Sequence, residues 1–472
     1  MNLPAAGSPL RITLVNPPFR RPVMRRFVAS YFAPNFLLPP TDLLYVSAAA
    51  KQFLDAHTKV VDAIAKKLDE EATIVAVRAS QPHLLFVQLG FATIEDDLHF
   101  CDRLRKDIGA PLVAMGYLPT MFTEEVMNAS QVDALVRGEP EFAFSNLVRA
   151  WRAGDDPGSI PGVAVRRENE IIIGPEPERI VDLDELPLPD HRAVDPHDYS
   201  EALIGSPIGA IFTARGCPFP CTFCVRTFGP KLALRSAESV LREARLLVQE
   251  MGVRNLRFMD DTFNFSPTRT AEICHGLLKL QPLQWTALAR LDRLDEPTVE
   301  LMAHAGCRRL YVGVESGAER MLELYQKGAT LAQMRHGIEL IRRTGMEASA
   351  FFIVGGPTET RVDFEASLSF AKETKLDYVI VTRIQYWPGT KLFADHKNEL
   401  ETSIVPFYCR PRDVVAYDRL LELEREFYRR FYLRPYMVWR HVHWLIKHPG
   451  NLAGSFVNLI KYLFGKAKED FI

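Results

Sequence analysis

Long apolar runs, a surplus of one charge sign and a paired cysteine framework are all missing from this sequence. No apolar run is long enough to cross a bilayer as a helix. Lys and Arg number 57 against 59 Asp and Glu, a formal net charge of −2, so no bulk attraction to nucleic acid is expected. Met1 to Pro9 holds no basic segment followed by an apolar core, so no secretory leader is expected. The seven cysteines are odd in number and three of them are clustered, which fits a reducing compartment, and the predicted location is the cytoplasm. What is there is ordinary for a globular protein. Hydrophobic residues make up 47% and charged residues 25% of the 472, enough for two or three domains around a large core.

Three of the cysteines fall in the stretch Arg215-Gly216-Cys217-Pro218-Phe219-Pro220-Cys221-Thr222-Phe223-Cys224. An apolar run from Ile208 to Thr213 leads into it, and glycine and two prolines keep it out of regular structure. The C-x3-C-x2-C spacing reads as a strand ending in a loop whose three thiols can converge on one soft metal centre. Zinc normally takes four ligands, and no fourth cysteine lies nearby. A cubane iron–sulfur cluster on three cysteines would leave one iron open to substrate or cofactor. A structural metal knuckle, or three unrelated buried thiols, is the plainer alternative. The triplet at a predicted strand end argues against it.

Cys217, Cys221 and Cys224, with aromatic Phe223 before the third, resemble the cluster loop of the radical S-adenosylmethionine (SAM) superfamily. The resemblance implies a 4Fe–4S cluster on the three cysteines, with SAM on the fourth iron. It implies one-electron cleavage of SAM to methionine and a 5′-deoxyadenosyl radical that abstracts a substrate hydrogen. It also implies an electron donor such as flavodoxin or ferredoxin.

Ahead of the loop, apolar strands at 11–16, 58–63, 84–89, 111–115 and 132–136 alternate with helical patterns such as 43–54 and 96–108. This predicts a doubly wound parallel sheet whose ligands sit beyond the strands' carboxyl ends. Those ends are Asn16-Pro17-Pro18, Gly90-Phe91, Gly116 and Gly138-Glu139-Pro140-Glu141. Together they resemble the cobalamin-binding domain found ahead of many radical SAM domains. The Asp-x-His-x-x-Gly signature of other cobalamin proteins is absent. Asp97-Leu98-His99 lies on a predicted helix, and His99 reads as a helix-surface residue. If cobalamin binds, no histidine is expected on its cobalt. A small hairpin at 163–167 and 171–174 and an acidic, proline-rich connector at 183–190 mark a domain boundary.

Beyond it, strands at 208–213, 255–259, 285–289, 310–314, 349–354 and 378–382 alternate with helices, for example 236–251, 268–280 and 331–343. Asp295 is the predicted cap of another. About six such units predict an open, partial (β/α)6 barrel of TIM type, with function at the strand C-terminal ends. Those ends carry the cysteines, Asp260, Asp261, Arg290, Glu315 and Gly355-Gly356. The acids can take an ammonium or ribose hydroxyls, the arginine a carboxylate, and the glycines let an adenine ring lie on backbone. The resemblance places Asp260 and Asp261 at the SAM amine and Glu315 at a ribose or amine contact. It places 353–356 and 387–390 at the adenine. Cys274 and Cys307 fall in predicted helices and read as core thiols.

The expected layout is therefore α/β throughout. A cobalamin-binding-like domain occupies 1–150, a linker with the hairpin 151–205, the radical SAM barrel 206–400, and a helical extension 401–472. The extension mixes aromatics with bases at 432–449 and adds an apolar face at 456–464. It reads as a helical cap over the barrel or a partner, or as a surface helix in peripheral contact with the inner face of the membrane. The reaction implied by the resemblance is cobalamin-dependent methylation of an unactivated carbon in a small molecule, lipid or tetrapyrrole. The anaerobic oxidative cyclase of magnesium-protoporphyrin monomethyl ester and enzymes of hopanoid modification share the layout, so a reaction without methyl transfer is the rival. A non-catalytic iron–sulfur module is the alternative from another class. A tRNA-modifying protein is not expected, because neither a basic appended domain nor a second cysteine cluster is present.

Overall fold

Two parallel sheets carry the chain in this computed structural model, which describes residues 3–439 except 6, 27–29, 32–35, 169, 202, 227 and 413. The first sheet orders its parallel strands Ala56–Asp62, Leu10–Asn16, Leu84–Gln88, Leu112–Met115 and Ala134–Val136. The last three are buried along their whole length. Helices on both faces explain why each reads as a continuous apolar run rather than an alternating one. The chain reverses direction across the sheet between Leu10–Asn16 and Leu84–Gln88, which makes that point the switch crevice of a doubly wound fold.

The hairpin Val163–Arg167 and Glu170–Ile173 is not part of a separate linker. It pairs antiparallel with Ala134–Val136 and extends the first sheet to seven strands. Without it, Ala134–Val136 would be a bare apolar edge, and such edges are covered in folded proteins.

The second sheet has six strands, all parallel and in chain order: Ile208–Ile211, Asn255–Phe258, Gln284–Ala289, Cys307–Glu315, Glu347–Val354 and Tyr378–Arg383. Their outer face, with Phe258, Trp285, Leu310 and Phe352, packs under the crossover helices as the largest core. Asp295 caps the helix Glu296–His304, accepting from Thr298 N at 2.9 Å. The first and last strands do not pair, so the barrel is open. Cys274 is buried in the helix Pro267–Leu277, as expected. Cys307 is also buried but opens a strand rather than lying in a helix, because Gly306 ends the helical segment one residue earlier.

The free edge of Tyr378–Arg383 is finished by the helix Val414–Tyr432. Tyr428 Oη accepts from Val381 N at 2.7 Å and Tyr432 Oη from Val379 N at 3.0 Å. Each hydroxyl donates back to the carbonyl of the same residue at 3.1 Å. Two tyrosines one helical turn apart thus satisfy an edge that would otherwise invite another strand. This part of the extension is a cap on the barrel, with Phe427 and Phe431 inside its core. The stretches 440–449 and 456–464 lie outside the described residues. No helix among the described residues is long and apolar enough to cross a membrane.

Candidate active site at the barrel mouth

The cysteine loop leaves the strand Ile208–Ile211 and is tied down by backbone. Gly216 has φ +88°, and a Cβ there would lie 2.3 Å from the Lys231 carbonyl oxygen, so only glycine fits. Cys217 N donates to Gly229 O at 3.2 Å. Between the second and third cysteines, Thr222 N donates to Tyr325 O at 2.9 Å, and Thr222 O accepts from Leu392 N at 2.9 Å. Phe223 packs edge-on against Tyr325, ring centroids 5.3 Å apart.

The three thiols share one electrostatic neighbourhood. Burial pushes all three up, and Cys224 feels the charge of Asp261, Cys221 and Cys217. Cys217 and Cys221 are half-buried and Cys224 is exposed. No three His, Cys, Asp or Glu side chains among the described residues are gathered tightly enough for a single metal ion. A tetrahedral ion draws thiolates in to metal–sulfur distances of about 2.3 Å, whereas a cubane spreads them over separate irons. Three thiols within eight residues and no nearby fourth cysteine are one ligand short of a structural zinc site and suit a cluster with one iron left open.

The other predicted residues divide. Asp260 is a loop builder: its carboxylate accepts from Thr213 N at 2.6 Å, Ala214 N at 3.0 Å and the Thr213 hydroxyl. That leaves it no free edge for an ammonium. Asp261, next in the chain, is exposed, yet the protein around it desolvates the carboxyl and lifts it to about 6. Arg26 of the first domain reaches over it, donating to Met259 O at 2.9 Å, and opposes that rise.

Arg290 does not offer a free guanidinium for a carboxylate. It grips Asp292 at 2.9 and 3.1 Å, donates to Lys327 O at 2.9 Å, and stacks 3.7 Å from the centre of the Phe219 ring. With Lys327, its charge favours the Cys221 thiolate and partly offsets the rise that burial causes. Glu315 sits in the left-handed region at φ 68° and accepts from Lys327 Nζ at 2.8 Å.

The glycine pair is not an open shelf. A Cβ on Gly355 would meet Leu420 at 1.9 Å, and one on Gly356 would meet the Tyr325 hydroxyl at 2.0 Å. Both amides point to Glu359, whose carboxyl burial raises to about 7. Trp387 turns toward the first domain instead, stacked on Phe407 at 5.8 Å and edge-on to Phe91 at 4.6 Å.

Sequence reading missed Lys327, Glu359 and Arg26. Glu359 had a usable signal, an acid closing a Gly-Gly-Pro-Thr-Glu turn. Lys327 and Arg26 had none, since both arrive from distant segments.

The C-terminal edge of the first sheet abuts this mouth. Val225 of the cysteine loop, Trp387 and Phe407 join the core beneath Phe91 and Tyr117. Gln88 Oε1 at that edge is buried without a hydrogen-bond partner. His99 is exposed on the helix Ile94–Ile108. The aromatics are packed on one another, so the unsatisfied Gln88 oxygen is the feature at this edge that fits a bound cofactor, and the exposed His99 is not placed to ligate one.

A parallel α/β domain docked on an open six-strand barrel, with a cysteine triad at the barrel mouth, defines the class. The radical SAM superfamily profile matches residues 211–371. An uncharacterized methyltransferase of Pyrococcus horikoshii is 30% identical over 84% of this chain and 88% of its own length. The chain belongs to the radical SAM superfamily. The anaerobic magnesium-protoporphyrin IX monomethyl ester cyclase of Cereibacter sphaeroides is 25% identical over 84% of this chain and 67% of its own. Among solved structures, the radical SAM methyltransferase TsrM of Kitasatospora setae, with cobalamin and a 4Fe–4S cluster bound, shares the fold. Its TM-score is 0.66 at 19% identity, over 82% of this chain and 74% of that one.

Proposed function

We propose that this protein is a cobalamin-dependent radical SAM enzyme that methylates an unactivated carbon of a small molecule, with Cys217, Cys221 and Cys224 as the cluster ligands. When bound, the cluster supplies the electron that splits SAM and cobalamin supplies the methyl group. The observation that carries the reading is the backbone-tied loop that sets three thiols at the strand C-terminal mouth. The methyltransferase relative and the cobalamin-bound neighbour support it.

The chain's own residues then have these roles. Asp261, ionised above about 6, accepts hydrogen bonds from the SAM amine. Arg290 and Lys327 stabilise the Cys221 thiolate and shield it from the acids nearby. Asp260 holds the start of the loop by binding Thr213 and Ala214. Phe91, Tyr117, Trp387 and Phe407 form the apolar core behind the first sheet's carboxyl edge, and the Gln88 amide oxygen there is the group a bound cobalamin would satisfy. Reduction of the anaerobically reconstituted protein with SAM tests the reading: 5′-deoxyadenosine and a product heavier by one methylene are expected. Deoxyadenosine with a rearranged or oxidised product would favour the cyclase-like rival, and no deoxyadenosine would leave only an iron–sulfur module.

A further inference from the structure

Arg215 stands two residues before the first cluster cysteine, and its side chain leaves the barrel altogether. Its guanidinium enters the first domain and meets the Gly138-Glu139-Pro140-Glu141 turn. Nη1 donates to Glu139 Oε1 at 3.0 Å and to Glu141 Oε2 at 3.2 Å, and Nη2 donates to Glu141 Oε1 at 2.5 Å. All three side chains are at most 2% exposed. The guanidinium lies between two rings: Tyr45 of the first domain at 4.9 Å and Phe228 of the cysteine loop's return at 5.0 Å.

The carboxylates are themselves fixed. Glu139 precedes and Glu141 opens the helix Pro140–Ala153, whose N-terminus favours negative charge. Glu139 also accepts from Ile180 N at 2.9 Å and Arg179 at 2.6 Å. On the other side, only Gly216 separates Arg215 from Cys217. Gly216 is wedged against the Lys231 carbonyl, and Ala214–Arg215 pairs with Ala233–Leu234. A rotation of the Arg215 fork therefore has no soft joint in which to dissipate before it reaches the thiol.

We propose that Arg215, clamped by Glu139 and Glu141, is the positioning residue that orients the cysteine loop. The first domain then sets how the cluster meets SAM whether or not that domain holds a cofactor. This rests on the cluster reading above. A two-pronged fork to one carboxylate fixes direction as well as distance, which an ammonium at the same place cannot do. The same observation accounts for the acids of the Gly-Glu-Pro-Glu turn: they face the cysteine loop, not a ligand cradle.

The test compares full-length wild type with Arg215→Lys, Glu141→Gln and the neutral triple variant Glu139→Gln/Glu141→Gln/Arg215→Met. Each is reconstituted anaerobically, iron is counted, and the reduced cluster is examined by electron paramagnetic resonance with and without SAM. Arg215→Lys keeps the charge, and the triple variant strands only the partly exposed Arg179, so at least one variant retains its fold. Folded variants are expected to lose the SAM-induced spectral change and to bind SAM about tenfold more weakly. A merely stabilising ion pair would lower the melting temperature and leave the spectrum alone. A folded Arg215→Lys or triple variant with wild-type iron and a wild-type response to SAM would overturn the proposal. A wild type that takes up no cluster would instead overturn the function on which it rests.

Discussion

Both sheets are parallel and both gather polar groups at the carboxyl ends of their strands, but the two edges are finished differently. In the first sheet, the polar groups at the switch crevice are answered by the chain itself, the Gln88 amide oxygen excepted. Arg25, fully buried, grips Asp97 at 2.6 and 3.1 Å and donates to Asn16 Oδ1 at 3.0 Å. Asp62 accepts from Asn16 and Tyr199, both at 2.8 Å. At the barrel mouth, Asp260, Arg290 and Glu315 are answered in the same way, while Cys224 and Asp261 are exposed and Cys217 and Cys221 half-buried. The lesson is that position at a strand end does not assign chemistry. What assigns it is whether the loop's own backbone has already used the group.

Four substitutions break or sharpen that contrast, from the largest effect to the smallest. Cys221→Ala is expected to abolish deoxyadenosine formation, read by chromatography of a reduced, SAM-supplied sample, with the fold intact. Arg25→Met strands a buried Asp97 carboxylate and should cost about 3–5 kcal/mol of stability. Denaturant melts should show that loss while cysteine-bound iron per folded chain stays constant. An equal loss from Cys221→Ala would erase the distinction between the two edges.

Asp261→Asn is expected to weaken SAM binding about tenfold, the scale of one charge-assisted contact. Since burial lifts Asp261 from 3.8 to about 6, the carboxylate forms only above that range. Wild-type affinity for the cationic ligand should therefore fall as pH drops through 6, and the asparagine variant should show a flat profile there by calorimetry. The smallest effect is Glu359→Gln. The folded state holds the Glu359 proton up to about 7 against 4.5 for the ordinary group, so stability from this residue is present below 4.5 and is lost as pH rises through 7. The glutamine should remove that decline in melts taken from pH 4.5 to 8.

Much of this was legible in the sequence. The strand–helix alternation gave both sheets, because strands buried on helices have to be apolar throughout. The cysteine spacing gave the loop, because glycine at 216 is the only residue its backbone admits. The hairpin was found but misplaced, since its local pattern says nothing about which edge it covers. The acids were harder. Asp260 and Asp261 are neighbours of identical type, yet Thr213 occupies one and the other is exposed, and Thr213 is a long way back in the chain. Arg290 read as a ligand arginine until Asp292, two residues on, claimed its fork. Gly355 and Gly356 read as an open shelf, but Leu420 and Tyr325 close it from segments no local pattern could connect.

The most direct measurement is hyperfine spectroscopy of the reduced, reconstituted protein with SAM labelled with nitrogen-15 in its amine and oxygen-17 in its carboxylate. The account predicts coupling of both labels to one iron of a cluster held by Cys217, Cys221 and Cys224. Four irons with no coupling to either label would contradict it, because every iron would then already have its ligand.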